Sequence, residues 1–111
     1  MEMIYTSEFK RNIRCLAKKY RHIRADVEPV IEPLHSGEIL GDQIPRIEYK
    51  LYKIRVRNTD VQKGKSGGYR LIYCLCETTN QIVLVTVYSK SEQGDVSAEQ
   101  IRRMLEDVDT F

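Results

Sequence analysis

Residues 52–57 read YKIRVR, an alternation of apolar and basic side chains. A period of two is typical of a β-strand, because successive side chains of a strand point to opposite faces of the sheet. The apolar positions, which would pack on a core, are Tyr52, Ile54 and Val56. The basic positions on the other face are Lys53, Arg55 and Arg57. One strand face with three cations is the first feature that needs a functional explanation.

Two further strands are predicted after this one. GYRLIYCLC (68–76) and IVLVTVY (82–88) are joined by the polar turn ETTN (77–80). The run 82–88 is apolar at almost every position, which is typical of a strand that is buried on both faces. Together with 52–57, these segments predict three antiparallel strands, with 82–88 in the interior of the sheet.

Helical spacing of apolar residues predicts three helices around this sheet. The first begins at an N-cap, Thr6 or Ser7, directly after a short strand at 3–6. The second covers 23–34, with a kink or a late start at Pro29, because proline removes a helical hydrogen bond. The third is capped by Ser97 or Asp95 and continues to about Val108.

The order of these elements predicts an α+β fold with the helices on one face of the sheet. The segment 35–46, which contains two glycines and a proline, is predicted to be a long loop. A length of 111 residues with 41% hydrophobic content suits one domain that spans 1–111.

Cysteine usage and hydropathy predict a cytoplasmic protein without a membrane segment. The three cysteines are an odd number without metal-ligand spacing, and no apolar segment approaches the roughly 18 residues of a membrane span. No set of His, Cys and Asp residues has the spacing of metal ligands either. We therefore expect neither a metal nor a cofactor.

Positive charge is concentrated in residues 50–73. This segment has seven basic residues and one acid, so its net charge is +6, while the total of +2 leaves −4 for the rest of the chain. Part of the charge lies in KGKSGGYRLIY (63–73), which supplies Lys63, Lys65 and Arg70, with Gly67 and Gly68 as possible backbone N–H donors. Such a patch suits a polyanion, most commonly nucleic acid.

A solvated sheet face is the alternative interpretation, because lysine and arginine also protect strands from edge pairing. That interpretation explains YKIRVR, whereas only anion binding explains why the following loop and strand are basic as well. The face on which Arg70 lies cannot be read from the sequence, because register is not specified across so long a loop.

Metal-free cleavage of RNA is the chemistry that these residue types permit. The 2′-hydroxyl of the substrate can serve as nucleophile, cations can stabilise charge on the phosphate, and a lysine or a tyrosine can move protons. Crowded cations lower the pKa of a lysine, so the patch could create its own base. The two histidines, His22 and His35, are interpreted as surface or hydrogen-bonded residues outside this site.

Three motifs in order resemble the RelE/ParE superfamily of toxins from type II toxin–antitoxin systems. They are YKIRVR, KGKSGGYRLIY and LVTVYSKSEQGDVS, and they lie within residues 50–97. The chain is most similar to the HigB-like group, in which a KGK-x-GG-x-R-x-IY stretch and a later Y-x-K-x-E-x-x-D-[LIV] stretch recur. The resemblance implies a small antiparallel sheet, mixed at its edge, with two N-terminal helices packed on it and a C-terminal helix.

The resemblance also implies an activity and a site. RelE-like members are mRNA interferases that cut mRNA on the ribosome without a metal and leave a cyclic phosphate. Lys53 and Arg55 match the paired basic positions of the RelE strand, Arg70 matches the phosphate-binding arginine, and Lys90 matches a basic residue after the last strand. We expect Tyr88 to complete the catalytic set. The expected phosphate-binding set is Arg57, Lys63, Lys65, Gly67 and Gly68.

Two positions depart from the RelE pattern. The arginine that follows the matched basic residue in RelE falls on Ser91, and the tyrosine of the next turn falls near Ser97. The substitutes that we expect are Tyr88 and one of the loop lysines, Lys63 or Lys65. Glu92 and Asp95 could orient the cations or cap the last helix, and for Asp95 the cap is the expectation.

The expected partners are a cognate antitoxin protein, the ribosome and mRNA, with DNA contacted only through the antitoxin. Two alternatives remain open. One is a ParE-like protein that inhibits gyrase by binding, and the other is an inactive RNA-binding or regulatory module with the same fold.

Overall fold

The computed structural model describes residues 1–61, 68–106 and 108. These residues form a five-stranded sheet and three helices. In chain order they are β1 (Glu2–Tyr5), α1 (Ser7–Lys19), α2 (Ile23–His35), β2 (Asp42–Gln43), β3 (Lys50–Val56), β4 (Tyr69–Cys76), β5 (Gln81–Ser89) and α3 (Ala98–Leu105).

The sheet is mixed at one edge, with the strand order β1-β5-β4-β3-β2. β1 runs parallel to β5, whereas the pairs β5–β4, β4–β3 and β3–β2 are antiparallel. The α+β class and the mixed edge are therefore confirmed. All nine residues of β5 are buried, and β5 lies between β1 and β4, which confirms its predicted interior position.

Helices α1 and α2 pack on one face of the sheet. Their buried residues form a core with the inward side chains of β3, β4 and β5. The members contributed by the two helices include Phe9, Ile23, Val27 and Leu34. Of the two predicted N-caps of α1, Thr6 is the cap: its hydroxyl accepts the Phe9 N–H at 3.0 Å and donates to the Val85 carbonyl at 2.7 Å.

Helix α3 packs on the opposite face, so the expectation that all helices share one face is wrong. Ile101 and Leu105 of α3 are buried in a second core with sheet residues that include Leu51, Ile72 and Val85. Leu51 lies two residues before Lys53 and therefore on the same strand face. The face that is basic from Lys53 onward is thus apolar at the start of β3, and this apolar part is the surface that α3 covers.

Helix α2 runs through both of its prolines, so the predicted late start at Pro29 is wrong. It begins at Ile23 and contains Pro29 and Pro33. A spacing of four residues places both rings on one side of the helix, and Pro29 is exposed while Pro33 is half-buried. Water can therefore hydrate the carbonyl groups that lack a helical partner, and the buried side of α2 keeps its packing.

The predicted loop 35–46 contains the short strand β2, which the sequence did not reveal. β2 pairs with β3 through Asp42 opposite Lys53 and Gln43 opposite Tyr52. Gly41 precedes it with φ +83°, and a Cβ at this position would collide with the backbone carbonyl of Lys53. Glycine is therefore required here for the chain to approach β3.

Helix α3 ends at Leu105, earlier than the predicted end near Val108. Its N-cap is Ser97: the Gln100 N–H donates to the Ser97 hydroxyl at 3.1 Å, and the Ser97 N–H donates to the Gln100 side chain at 2.9 Å. No helix in the described part of the chain is long and apolar enough to cross a membrane.

Candidate functional site

The register of three strands brings Arg55, Arg70 and Tyr88 into one row. Arg55 of β3 lies directly opposite Arg70 of β4, and Arg70 lies opposite Tyr88 of β5. Residues that are directly opposite each other in a sheet share a face, so the three side chains emerge side by side. This pairing settles the face of Arg70, which could not be read from the sequence.

Two lysines flank this row. Lys53 lies two residues before Arg55 on the same face of β3. Lys90 directly follows β5, and its N–H donates to the Gly68 carbonyl at 3.0 Å, so the chain still pairs with the start of β4 there. We use the name "basic face" for Lys53, Arg55, Arg70, Tyr88 and Lys90. All five predicted catalytic residues therefore lie on or beside one face of the sheet.

Asp95 links the two lysines of the basic face. Its Oδ1 lies 3.4 Å from Lys53 Nζ and 3.5 Å from Lys90 Nζ. The hydrogen bond from Lys53, followed by the positive charge of Lys53 and of Lys90, lowers the pKa of the Asp95 carboxyl below its usual value. The expectation that Asp95 caps α3 is wrong, because Ser97 occupies that position.

The two arginines of the basic face lack a carboxylate partner among the residues that the structure describes. Arg55 is exposed, and Arg70 is half-buried and donates from Nη1 to the Tyr69 carbonyl at 3.1 Å. A guanidinium group offers five N–H donors in a planar fork that matches the oxygens of a phosphate. Two adjacent forks without an acid between them are suited to one anionic group.

Tyr88 is the buried member of the row. It is 3% exposed, and its hydroxyl has no hydrogen-bond partner within the described residues. Burial raises the pKa of Tyr88, the charge of Asp95 raises it further, and Arg70 opposes both. The phenol therefore keeps its proton at neutral pH, which suits a proton donor and not a base.

The structure describes two of the five predicted phosphate-binding residues, Arg57 and Gly68. Lys63, Lys65 and Gly67 lie outside the described residues. Gly68 permits close approach of β4 to β3, since a Cβ there would lie 2.8 Å from the Val56 carbonyl oxygen. Arg57 is exposed and directly follows the end of β3.

A clamp at the start of the 58–67 connection was missed by sequence reasoning. Asp60 accepts the His22 N–H at 2.9 Å and lies 2.6 Å from His22 Nδ1, while Asp26 accepts the Thr59 N–H at 3.0 Å. These contacts tie the end of β3 to the start of α2. Because the partners are more than thirty residues apart, no local sequence pattern reports them.

Glu92 does not reach the strand cations. It accepts a hydrogen bond from the Tyr20 hydroxyl at 2.6 Å and pairs with Lys19 at 3.3 Å. The Tyr20 hydroxyl and Lys19 lower the pKa of the Glu92 carboxyl. Of the two acids that we expected to orient the cations or cap α3, only Asp95 contacts the basic face.

No protein-family model matches the chain. A solved structure of the toxin RelE from E. coli is similar in fold, with a TM-score of 0.60 over 92% of this chain and 95% of that chain. That structure is of a free-state mutant in which two arginines are replaced by alanine. At 22% sequence identity, the likeness shows that the chain has a RelE-like fold.

Proposed function

We propose that this chain is a RelE-like toxin that cleaves mRNA on the ribosome without a metal ion. The RelE-like fold supports a place in that superfamily, and the motif in residues 63–73 supports the HigB-like branch. One observation carries the activity: Arg55 and Arg70 lie side by side without a carboxylate partner among the described residues, between two lysines and a buried tyrosine.

In this proposal the two arginines hold the scissile phosphate. Arg70 and Arg55 donate to its non-bridging oxygens, and Lys53 and Lys90 contact the same or the adjacent phosphate. Negative charge grows on these oxygens as the phosphorus becomes five-coordinate, so fixed cations stabilise the transition state more than the ground state. The half-buried position of Arg70 strengthens this effect, because water screens its charge less.

The RNA supplies its own nucleophile. Its 2′-oxygen attacks the adjacent phosphorus and loses a proton, and the bond from phosphorus to the 5′-oxygen breaks. The 5′-oxygen takes up a proton, so the products are a 2′,3′-cyclic phosphate and a 5′-hydroxyl. Tyr88, which keeps its proton at neutral pH, is proposed as the donor to the 5′-oxygen. The proposed proton acceptor is the neutral amine of one of the loop lysines, Lys63 or Lys65.

The proposed partners follow from toxicity. A cell that makes such a nuclease needs a protein that neutralises it, so a cognate antitoxin is proposed to cover the basic face or to displace α3. The ribosome presents the mRNA, and contact with DNA is made through the antitoxin alone. The proposed location is the cytoplasm, where translated message is found.

Primer extension on a defined message in a purified translation system tests this function. Cuts that appear only in translated RNA and in register with the reading frame are expected. Naked RNA of the same sequence is the control for ribosome dependence. Growth arrest without any cut, from a folded protein, would contradict the nuclease and favour the gyrase inhibitor, whereas neither arrest nor cuts would favour the inactive module.

The variant Arg70→Ala tests whether Arg70 acts in cleavage while the protein remains folded. It should abolish cleavage and growth arrest, because it removes a hydrogen-bond donor to the phosphate, and it should leave antitoxin binding intact where the antitoxin acts by displacing α3. Arg103→Ala is the matched control, since Arg103 lies on α3 and pairs with Glu99 at 2.6 Å, outside the basic face. RNA cleavage by folded Arg70→Ala at the normal rate would overturn the assignment.

A further inference from the structure

Asp95 stands out because its carboxylate lies among cations that the proposed function gives to phosphate. A single oxygen, Oδ1, contacts both Lys53 Nζ and Lys90 Nζ, at 3.4 and 3.5 Å. Lys53 comes from β3 and Lys90 from the end of β5, and β4 lies between them. The carboxylate therefore joins two lysines that the sheet alone would hold apart.

Asp95 does not cap the helix that follows it. Ser97 caps α3 together with Gln100, and within the described residues the Asp95 side chain contacts the two lysines alone. Asp95 is exposed, and its described contacts are with cations of the basic face, so its position is that of a counter-ion to that face.

The geometry of the contact permits displacement. Both distances exceed the 2.7–2.9 Å of a strong charge-assisted hydrogen bond. The Asp95 side chain is 71% exposed, so water competes for it and screens its charge. An ion pair of this kind is weak, and the 90–97 segment that carries it connects β5 to α3 without strand or helix of its own. A phosphate, with more oxygens and a full charge, can replace the carboxylate.

We propose that Asp95 is an internal counter-ion that occupies the place of a phosphate between Lys53 and Lys90 and leaves that place when a phosphodiester binds. It holds the two ammonium groups together in the free protein and opposes weak binding of stray anions. This inference rests on the proposed function, because it assigns to Asp95 an effect on the affinity of the proposed phosphate site. Asp95 is thus a specificity-determining residue, and it is not a member of the cleavage machinery.

The substitution Asp95→Asn distinguishes a displaced counter-ion from a positioning residue, because the two predict opposite signs. A counter-ion competes with phosphate, so its loss should tighten binding. A carboxylate that only positions the lysines should weaken binding when it is lost. Displacing a carboxylate from a cation about 4 Å away in a water-like medium costs a factor of about five in binding, so we expect a dissociation constant about five times lower in Asp95→Asn.

Two probes are titrated into the full chain at fixed salt. A 2′-O-methyl oligoribonucleotide, which cannot be cleaved by 2′-oxygen attack, is followed by fluorescence anisotropy. Inorganic phosphate is followed through the backbone amide NMR signals of Gly68 and Lys90. The matched control is Glu77→Gln, which removes an exposed carboxylate that also pairs with a lysine, Lys50, outside the basic face. Circular dichroism verifies that each variant is folded.

Tighter binding of both probes by Asp95→Asn, with Glu77→Gln unchanged, supports the inference. Unchanged or weaker binding overturns it, as does an equal gain in Glu77→Gln, which would indicate a general charge effect. Absence of phosphate binding in both proteins also overturns it. If the oligonucleotide binds neither protein but phosphate binds Asp95→Asn more tightly, the RNA function fails and the counter-ion stands. If the oligonucleotide binds both proteins equally well, the counter-ion role of Asp95 fails and the RNA function stands.

Discussion

Arg55→Gln should stabilise the fold while it weakens RNA binding. Arg55 is exposed, lies directly opposite Arg70, and has no ion pair with any residue that the structure describes. Like charges that face each other across two strands destabilise a sheet. If the two arginines serve the proposed phosphate site, their repulsion is a cost that the fold itself does not need.

The size of this repulsion follows from the pairing. Two charges about 6 Å apart in a water-like medium repel by about 0.7 kcal/mol, and physiological salt reduces this value to about 0.3 kcal/mol. We expect the free energy of unfolding to rise by that amount in Arg55→Gln. With a urea dependence of about 1–1.5 kcal/mol per molar, the midpoint of unfolding should rise by about 0.2–0.3 M.

Urea denaturation at two salt concentrations is the assay. The gain should vanish at about 1 M salt, where the Debye length is only about 3 Å. The control Arg103→Gln removes a cation that pairs with Glu99 four residues earlier in α3, so it should lose about 0.3–0.5 kcal/mol instead. Destabilisation by Arg55→Gln, or a gain that persists in high salt, would refute the idea that the two arginines repel.

Three further predictions concern the fold that presents the site. Tyr73→Phe should lower the free energy of unfolding by about 2 kcal/mol, because the buried Tyr73 hydroxyl donates to the Leu40 carbonyl at 2.7 Å and accepts the Leu40 N–H at 2.9 Å. Thermal denaturation checks this, and a loss below about 0.5 kcal/mol would show that water replaces both bonds. Gly41→Ala should lower the free energy of unfolding by about 3 kcal/mol. Gly37→Ala is the control, because Gly37 also has a positive φ but has open space at its Cβ, and it should lose about 1 kcal/mol. Equal losses of stability in urea denaturation would contradict the required close approach of Gly41 to β3. Ser97→Ala should cost about 1 kcal/mol through loss of the α3 cap, with faster amide exchange in the first turn, and unchanged exchange would argue against the cap.

Local sequence patterns were sufficient to predict most of the helices and strands. The alternation in YKIRVR identified β3 and placed Lys53 and Arg55 on one face, and residue type and position limited the N-cap of α1 to Thr6 or Ser7, of which Thr6 is the cap. These features depend on neighbours within a few residues, which is the range over which periodicity and capping act.

The site itself depends on register and on contacts over long distances. The pairing of Arg55 with Arg70 crosses the 58–67 connection, and a shift of one residue would have turned Arg70 to the other face. The contact of Asp95 with Lys53 joins residues 42 positions apart. Neither feature has a local signal, so the sequence predicted the members of the basic face but not their arrangement.

The second core explains the wrong placement of α3. Leu51 and Cys74 lie opposite each other on adjacent strands and present an apolar surface on the face that the YKIRVR pattern marked as basic. A bulge between Ile72 and Tyr73 shifts the register with β5, so alternation along β5 is interrupted as well. A pattern confined to six residues could not show that one sheet face is apolar at one end and basic at the other.

Cleavage of a translated message that lacks one 2′-hydroxyl is the most direct test of the proposed chemistry. The basic face offers cations and a protonated phenol, and the proposed mechanism therefore takes its nucleophile from the RNA. A single 2′-deoxy nucleotide is placed directly before a mapped cut, and primer extension compares this message with the unmodified one. Loss of that cut, with neighbouring cuts retained, is expected. A cut that persists at the deoxy position would contradict attack by the 2′-hydroxyl.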